Sequence, residues 1–135
     1  MNNKKNTLTK LKLLLCFIGI VTFLPACGHS YNIEKMLPGG VDVLMNTAPY
    51  PINAMRSEQI KLYFTVNKSP IKITNLSVNM KMVGMDMGDE LKMSSTKPGE
   101  YQSSYQFSMS GKWIENVRFE YKGHSENIDI SLNVN

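Results

Sequence analysis

The sequence predicts an all-β fold, an immunoglobulin-like antiparallel β-sandwich of about seven strands. Three observations predict it. Beyond residue 40 apolar residues recur at every second position, short turn signals separate these runs, and no window keeps the 3.6-residue period of an amphipathic helix. Each run has one apolar face, and two sheets with one such face apiece bury them by packing together.

The elements follow in order. Val41, Val43 and Met45 share a face and open the domain. Ile60, Leu62, Phe64 and Val66 alternate with Lys61, Tyr63, Thr65 and Asn67, and Asn67-Lys68-Ser69-Pro70 turns the chain. Leu76, Val78, Met80 and Met82 alternate with Ser77, Asn79 and Lys81 before the glycine-flanked segment Gly84 to Gly88. Lys97-Pro98-Gly99 leads into Tyr101, Ser103, Tyr105 and Phe107, which share a face. Past the Ser110-Gly111 turn, Trp113, Val117, Phe119 and Tyr121 share another, and Lys122-Gly123-His124-Ser125 leads to Ile128, Ile130, Leu132 and Val134. Trp113 is expected to anchor the core, because an aromatic side chain buries on the order of 150–250 Å². No internal repeat is present.

The first 40 residues read differently. Lys4, Lys5, Lys10 and Lys12 precede an apolar run from Leu13 to Leu24 that ends in Leu24-Pro25-Ala26-Cys27. A basic region, a short apolar region and small residues before a cleavage point form a secretory signal. A run of about 12 residues is too short to span a bilayer as a helix. Loss of these lysines takes the basic count from 15 to 11, equal to the 11 acidic residues, so no basic patch remains to bind nucleic acid.

Leu24-Pro25-Ala26-Cys27 resembles the lipobox of bacterial lipoproteins, although proline at its second position is uncommon. The resemblance implies that Cys27 carries a thioether-linked diacylglycerol, a membrane anchor on the extracytoplasmic side of the cell envelope. Cys16 leaves with the signal, so the mature chain would have no free thiol and no disulfide. The expected organisation is a signal peptide over residues 1–26, a tether over 27–40 closed by Pro38-Gly39-Gly40, and the sandwich over 41–135.

The methionines carry the functional signal. The chain has 10, several times ordinary usage, and Met80, Met82, Met85 and Met87 fall within one short stretch. Thioether sulfur is a soft donor that selects Cu(I) over harder ions, and it ligates without deprotonation. A second reading stands beside this one. Met80 and Met82 share parity with core residues, and methionine also fills gaps in cores. Met85 and Met87 lie in a turn, where they serve either a metal or partner contact or a loop folded back on the sandwich.

His29 in the tether and His124 in the last turn are the other candidate soft-metal ligands, and either could complete a Met/His site. An exposed histidine without a ligand role is the plainer reading of each. No zinc-like histidine spacing, calcium-loop pattern, phosphate loop or nucleophile elbow is present, and Asp86, Asp89 and Glu90 read as a solvated loop face. An enzyme is therefore not expected.

Asn79-Met80-Lys81-Met82-Val83-Gly84-Met85-Asp86-Met87-Gly88, then Gly99-Glu100-Tyr101, then Phe107-Ser108-Met109-Ser110-Gly111-Lys112-Trp113 resemble, in order, three blocks of the YtkA-like/FixH-like domain. Ala48-Pro49-Tyr50-Pro51 is similar to its proline-rich entry. The resemblance covers roughly residues 47–134. It implies a β-sandwich in the envelope and, in several relatives, copper handling or cytochrome oxidase assembly. The positions that match are Met80, Met82, Met85 and Met87 in the loop block and Met109, Gly111 and Trp113 in the turn block. Copper-linked members often place a histidine near the methionine loop, and none occurs here between Ser30 and Gly123. That departure leaves Cu(I) as the copper form to consider. Two function classes follow. One is a lipoprotein that binds or transfers Cu(I), with a respiratory or copper-handling membrane protein as partner. The other is a metal-free interaction module or accessory subunit of a membrane complex.

Overall fold

The computed structural model describes residues 31–86 and 88–135. The signal segment, Cys27, His29 and Met87 lie outside the described residues.

Among the described residues ten strands form two antiparallel sheets. In chain order they are β1 (Ile33–Met36), β2 (Val41–Ala48), β3 (Ser57–Val66), β4 (Ser69–Pro70), β5 (Thr74–Met82), β6 (Gly88–Leu91), β7 (Ser94–Lys97), β8 (Glu100–Gln106), β9 (Gly111–Tyr121) and β10 (His124–Val134). One sheet runs β1-β2-β3-β8-β7, with β4 paired to β3, and the other runs β10-β9-β5-β6. The period-two faces meet between them. Val43, Met45, Ile60, Leu62 and Phe64 pack from the first sheet against Val78, Met80, Val117, Phe119, Ile130 and Leu132 of the second. Phe64 and Phe119 touch edge to face across the layer, ring centroids 4.8 Å apart, within the favoured range for aromatic pairs.

The strand count exceeds seven because the additional strands are short. β7 is Ser94–Lys97, exposed throughout, and a strand with no apolar face leaves no alternation to read. β1 alters the expected tether. Residues 33–36 pair with β2 from Ile33↔Met45 to Met36↔Asp42, so the sandwich begins before residue 41. The polar side chains there mask a strand that backbone pairing supplies.

β9 and β10 form a hairpin of two 11-residue strands. Its turn is Lys122-Gly123, both at positive φ (50° and 79°). That is the geometry a two-residue hairpin loop requires, because its twist matches that of the strands.

Candidate functional site

The methionine segment leaves the sandwich at the end of β5. Met80 is fully buried and is paired with Glu115 on β9 and Asp89 on β6. It is a core residue, and no ion reaches its sulfur from solvent. Met82, two residues on, is paired with Trp113 and is half-buried at the rim of the core. Its Cε lies 2.8 Å from the position a Cβ on Gly111 would occupy. The φ of +139° requires glycine at 111, whereas the methyl ends a flexible side chain and can move aside.

The chain then turns through Gly84, at φ +84°. Val83 N–H donates to the Lys112 carbonyl (2.9 Å) and Met85 N–H to the Met82 carbonyl (3.3 Å). These bonds hold the turn against the start of β9 and leave Met85 40% exposed. Asp86 beside it meets Lys81 at 3.8 Å, an exposed pair of little energetic weight.

The turn between β8 and β9 supplies the second wall. Trp113 is 4% exposed and packs edge to face on Phe107 at 5.3 Å and on Tyr105 at 6.2 Å. Its indole N–H donates to the Met109 carbonyl at 3.1 Å, which satisfies the one polar atom of the ring. Met109 thus acts as a structural anchor through its backbone, while its side chain stays 36% exposed. Tyr105 reaches past the core edge to donate its hydroxyl to Asp89 Oδ2 at 2.9 Å. Burial first, and then the bond to this carboxylate, push the phenol up to about 12.

A third segment at this end was not legible as a site. Met55, in the loop between β2 and β3, is 71% exposed and sits at φ +61°. Its N–H donates to the Phe107 carbonyl (2.8 Å) and its own carbonyl accepts from Gln106 Nε2 (3.2 Å). An exposed apolar residue in the left-handed region is uncommon. The loop is fastened beneath by Glu58, fully buried, whose Oε1 accepts from Asn53 N–H and Arg56 Nε at 3.2 Å each. The sequence offered only one signal for Met55, a methionine outside every period-two run.

His124 does not join these residues. It pairs with Tyr121 at the far end of β9, eight residues beyond the Trp113 position that faces Met82. At about 3.3 Å per residue the separation is about 26 Å. A histidine at the opposite end of an extended strand cannot share an ion with the methionine turn, so the Met/His combination expected with His124 is withdrawn.

What remains at this end is a set of neutral, soft donors. Among the described residues no group of three His, Cys, Asp or Glu side chains stands ready to hold a metal ion. A hard or borderline cation therefore finds no ready set of ligands among them. The thioethers of Met82, Met85 and Met109 come from two turns tied together by the Val83–Lys112 hydrogen bond and by the Met82 methyl over Gly111. They suit a soft monovalent ion or an apolar contact.

The comparisons bear on the whole domain. A family model described as YtkA-like matches residues 39–118. A solved structure of a DUF4426 family protein from Pseudomonas aeruginosa PAO1 superposes with a TM-score of 0.57 at 13% identity, covering 74% of this chain and 93% of that one. At that identity the likeness shows the fold alone. No curated protein matches the chain.

Proposed function

The chain belongs to the YtkA-like family, and we propose that it is a membrane-anchored envelope lipoprotein that binds Cu(I) through thioethers at the methionine end of its sandwich and passes the ion to a membrane protein. One observation carries this reading: the turns that bear Met85 and Met109 are joined at one end of the sandwich by the Val83–Lys112 hydrogen bond, and the Trp113 indole there donates to the Met109 carbonyl. Copper is cargo in this reading, and the protein is a carrier with no catalytic group. Thioethers bind without releasing a proton, so uptake stays independent of pH over the range in which the fold persists. Assembly of a cytochrome oxidase is the class of process in which such a carrier would serve.

The test is a titration of the chain with Cu(I) against a competing chelator. Replacing Met85→Leu and Met109→Leu together keeps the apolar volume, so stability should change by less than about 1.5 kcal/mol. Affinity should fall at least about tenfold, equivalent to about 1.4 kcal/mol. Met80→Leu should leave affinity unchanged, because that sulfur is sealed in the core. Equal affinity in the double variant and the parent would remove these turns from the site.

The anchor is tested separately. Cys27→Ser should move the protein out of the membrane fraction or leave it unprocessed, since it removes the sulfur at the lipobox position that would carry the thioether. Unchanged fractionation with unchanged mature mass would refute the anchor.

The exposed Val83, Tyr50 and Met55 favour a second reading, a metal-free contact surface for a membrane complex. Absence of Cu(I) binding by the parent would decide for it.

A further inference from the structure

The edge of β10, free of a neighbouring strand among the described residues, carries an inference independent of the methionine end. The other sheet edges among the described residues are short: β1, β6 and β7 have four residues each. β10 has 11, runs in unbroken register with β9, and contains no Lys, Arg or Pro. Its charged residues are the acidic Glu126 and Asp129, and a long regular edge without Lys or Pro is a template for another strand of complementary chemistry.

Which backbone groups face outward follows from two observations. The Lys122-Gly123 turn makes Tyr121 and His124 a hydrogen-bonded pair, so even-numbered residues of β10 bond to β9. At the other end, Asn135 N–H donates to the Ile52 carbonyl and its own carbonyl accepts from Ala54 N–H, away from β9. By the same alternation Ser125, Asn127, Asp129, Ser131 and Asn133 turn their N–H and C=O groups to the open edge.

The side chains of that edge are already set. Asn116 Nδ2 on β9 donates to Asn127 Oδ1 (2.8 Å) and to Asp129 Oδ1 (2.6 Å), which fixes both on the outer face. Asn127 keeps its amide donor for another partner, and Asp129 keeps its second carboxylate oxygen.

We propose that β10 pairs antiparallel with β10 of a second copy about a two-fold axis at Ile128, joining the two four-stranded sheets into one of eight. In this register Asn127 lies opposite the partner's Asp129, Ser125 lies opposite the partner's Ser131, and about eight backbone hydrogen bonds close the edge. Each unused amide then meets an unused carboxylate, twice by symmetry. A shift of the axis by one residue to Asp129 sets two carboxylates directly against each other, which like-charge repulsion disfavours. The occupant is self-complementary, as an isologous contact requires.

The experiment is sedimentation equilibrium of the full chain in density-matched detergent. The parent should show a concentration-dependent dimer. Asn127→Asp sets carboxylate against carboxylate across the axis and should weaken dimerisation at least about tenfold. Asn127→Asp combined with Asp129→Asn restores amide against carboxylate and should return the affinity to within about threefold of the parent. Both changes keep an acceptor oxygen for Asn116 at each position, and a matching thermal transition confirms the fold. A parent that stays monomeric, a single variant that dimerises as well as the parent, or a double variant that fails to recover would each overturn the proposal. Cu(I) affinity plays no part in these readings.

Discussion

Trp113→Ala is expected to lower the unfolding free energy by about 3–5 kcal/mol, a large share of what a small domain possesses. The indole is nearly sealed and wedged against Phe107 and Tyr105. Truncation leaves a cavity between the sheets, and rings fixed in edge-to-face contact relax poorly into it. It also frees the Met109 carbonyl that the indole N–H had bonded. The loss should therefore reach the methionine end, loosening the β8–β9 turn as well as the core. Urea unfolding read by far-ultraviolet circular dichroism measures the effect. A loss below about 1 kcal/mol would mean that the ring contributes little to the packing.

The second large effect concerns Glu115, which faces the core between Met80 and Ile130 with both carboxyl oxygens unpartnered among the described residues. Burial raises its pKa from 4.5 to about 8. Below pH 4.5 the group is neutral whether the chain is folded or unfolded, and the penalty is confined to a buried hydroxyl and carbonyl. Between 4.5 and about 8 the unfolded chain ionises while the folded chain does not. Stability should therefore fall by about 1.4 kcal/mol per pH unit across that window and level off above it. Glu115→Leu should abolish this slope and make the protein more stable than the parent at pH 7, since an apolar side chain fits a site with no hydrogen-bond partner. Denaturation at pH 5, 7 and 9 checks both statements. Parallel pH profiles for parent and variant would assign the slope to other groups.

Much of the sandwich was legible because burial and periodicity coincide. Alternation alone marks the inner faces of β3, β5, β9 and β10 and puts Trp113 in the core. The same parity places Glu115 on the inner face of β9, between Trp113 and Val117, although a carboxyl group is rarely fully buried without a partner. Only the structure shows a carboxyl buried there, and likewise Glu58 on β3. β1 and β7 carry no such alternation, because backbone pairing, not side-chain burial, makes them strands. The site was legible in composition and not in arrangement. Four closely spaced methionines pointed to the turn, yet alternation sealed Met80 in the core and left Met82 at the rim. His124 was recognisable as a turn residue, but the pairing of β5 with β9, which sets the methionines at the other end of that strand, leaves no local pattern. Met55 reaches the same end through a non-local bond to Phe107, which no local pattern announces.

The backbone angle at Gly111 has a consequence for heredity. A side chain at 111 meets the end of a flexible thioether chain, which swings aside, and a backbone angle that L-residues rarely adopt, which does not, so the angle closes drift at this codon. Shortening residue 82 opens the space but not the angle, and it also removes a thioether from the rim. The dependence therefore runs one way: the backbone angle holds the glycine whatever stands at 82, while residue 82 is free to change beside it.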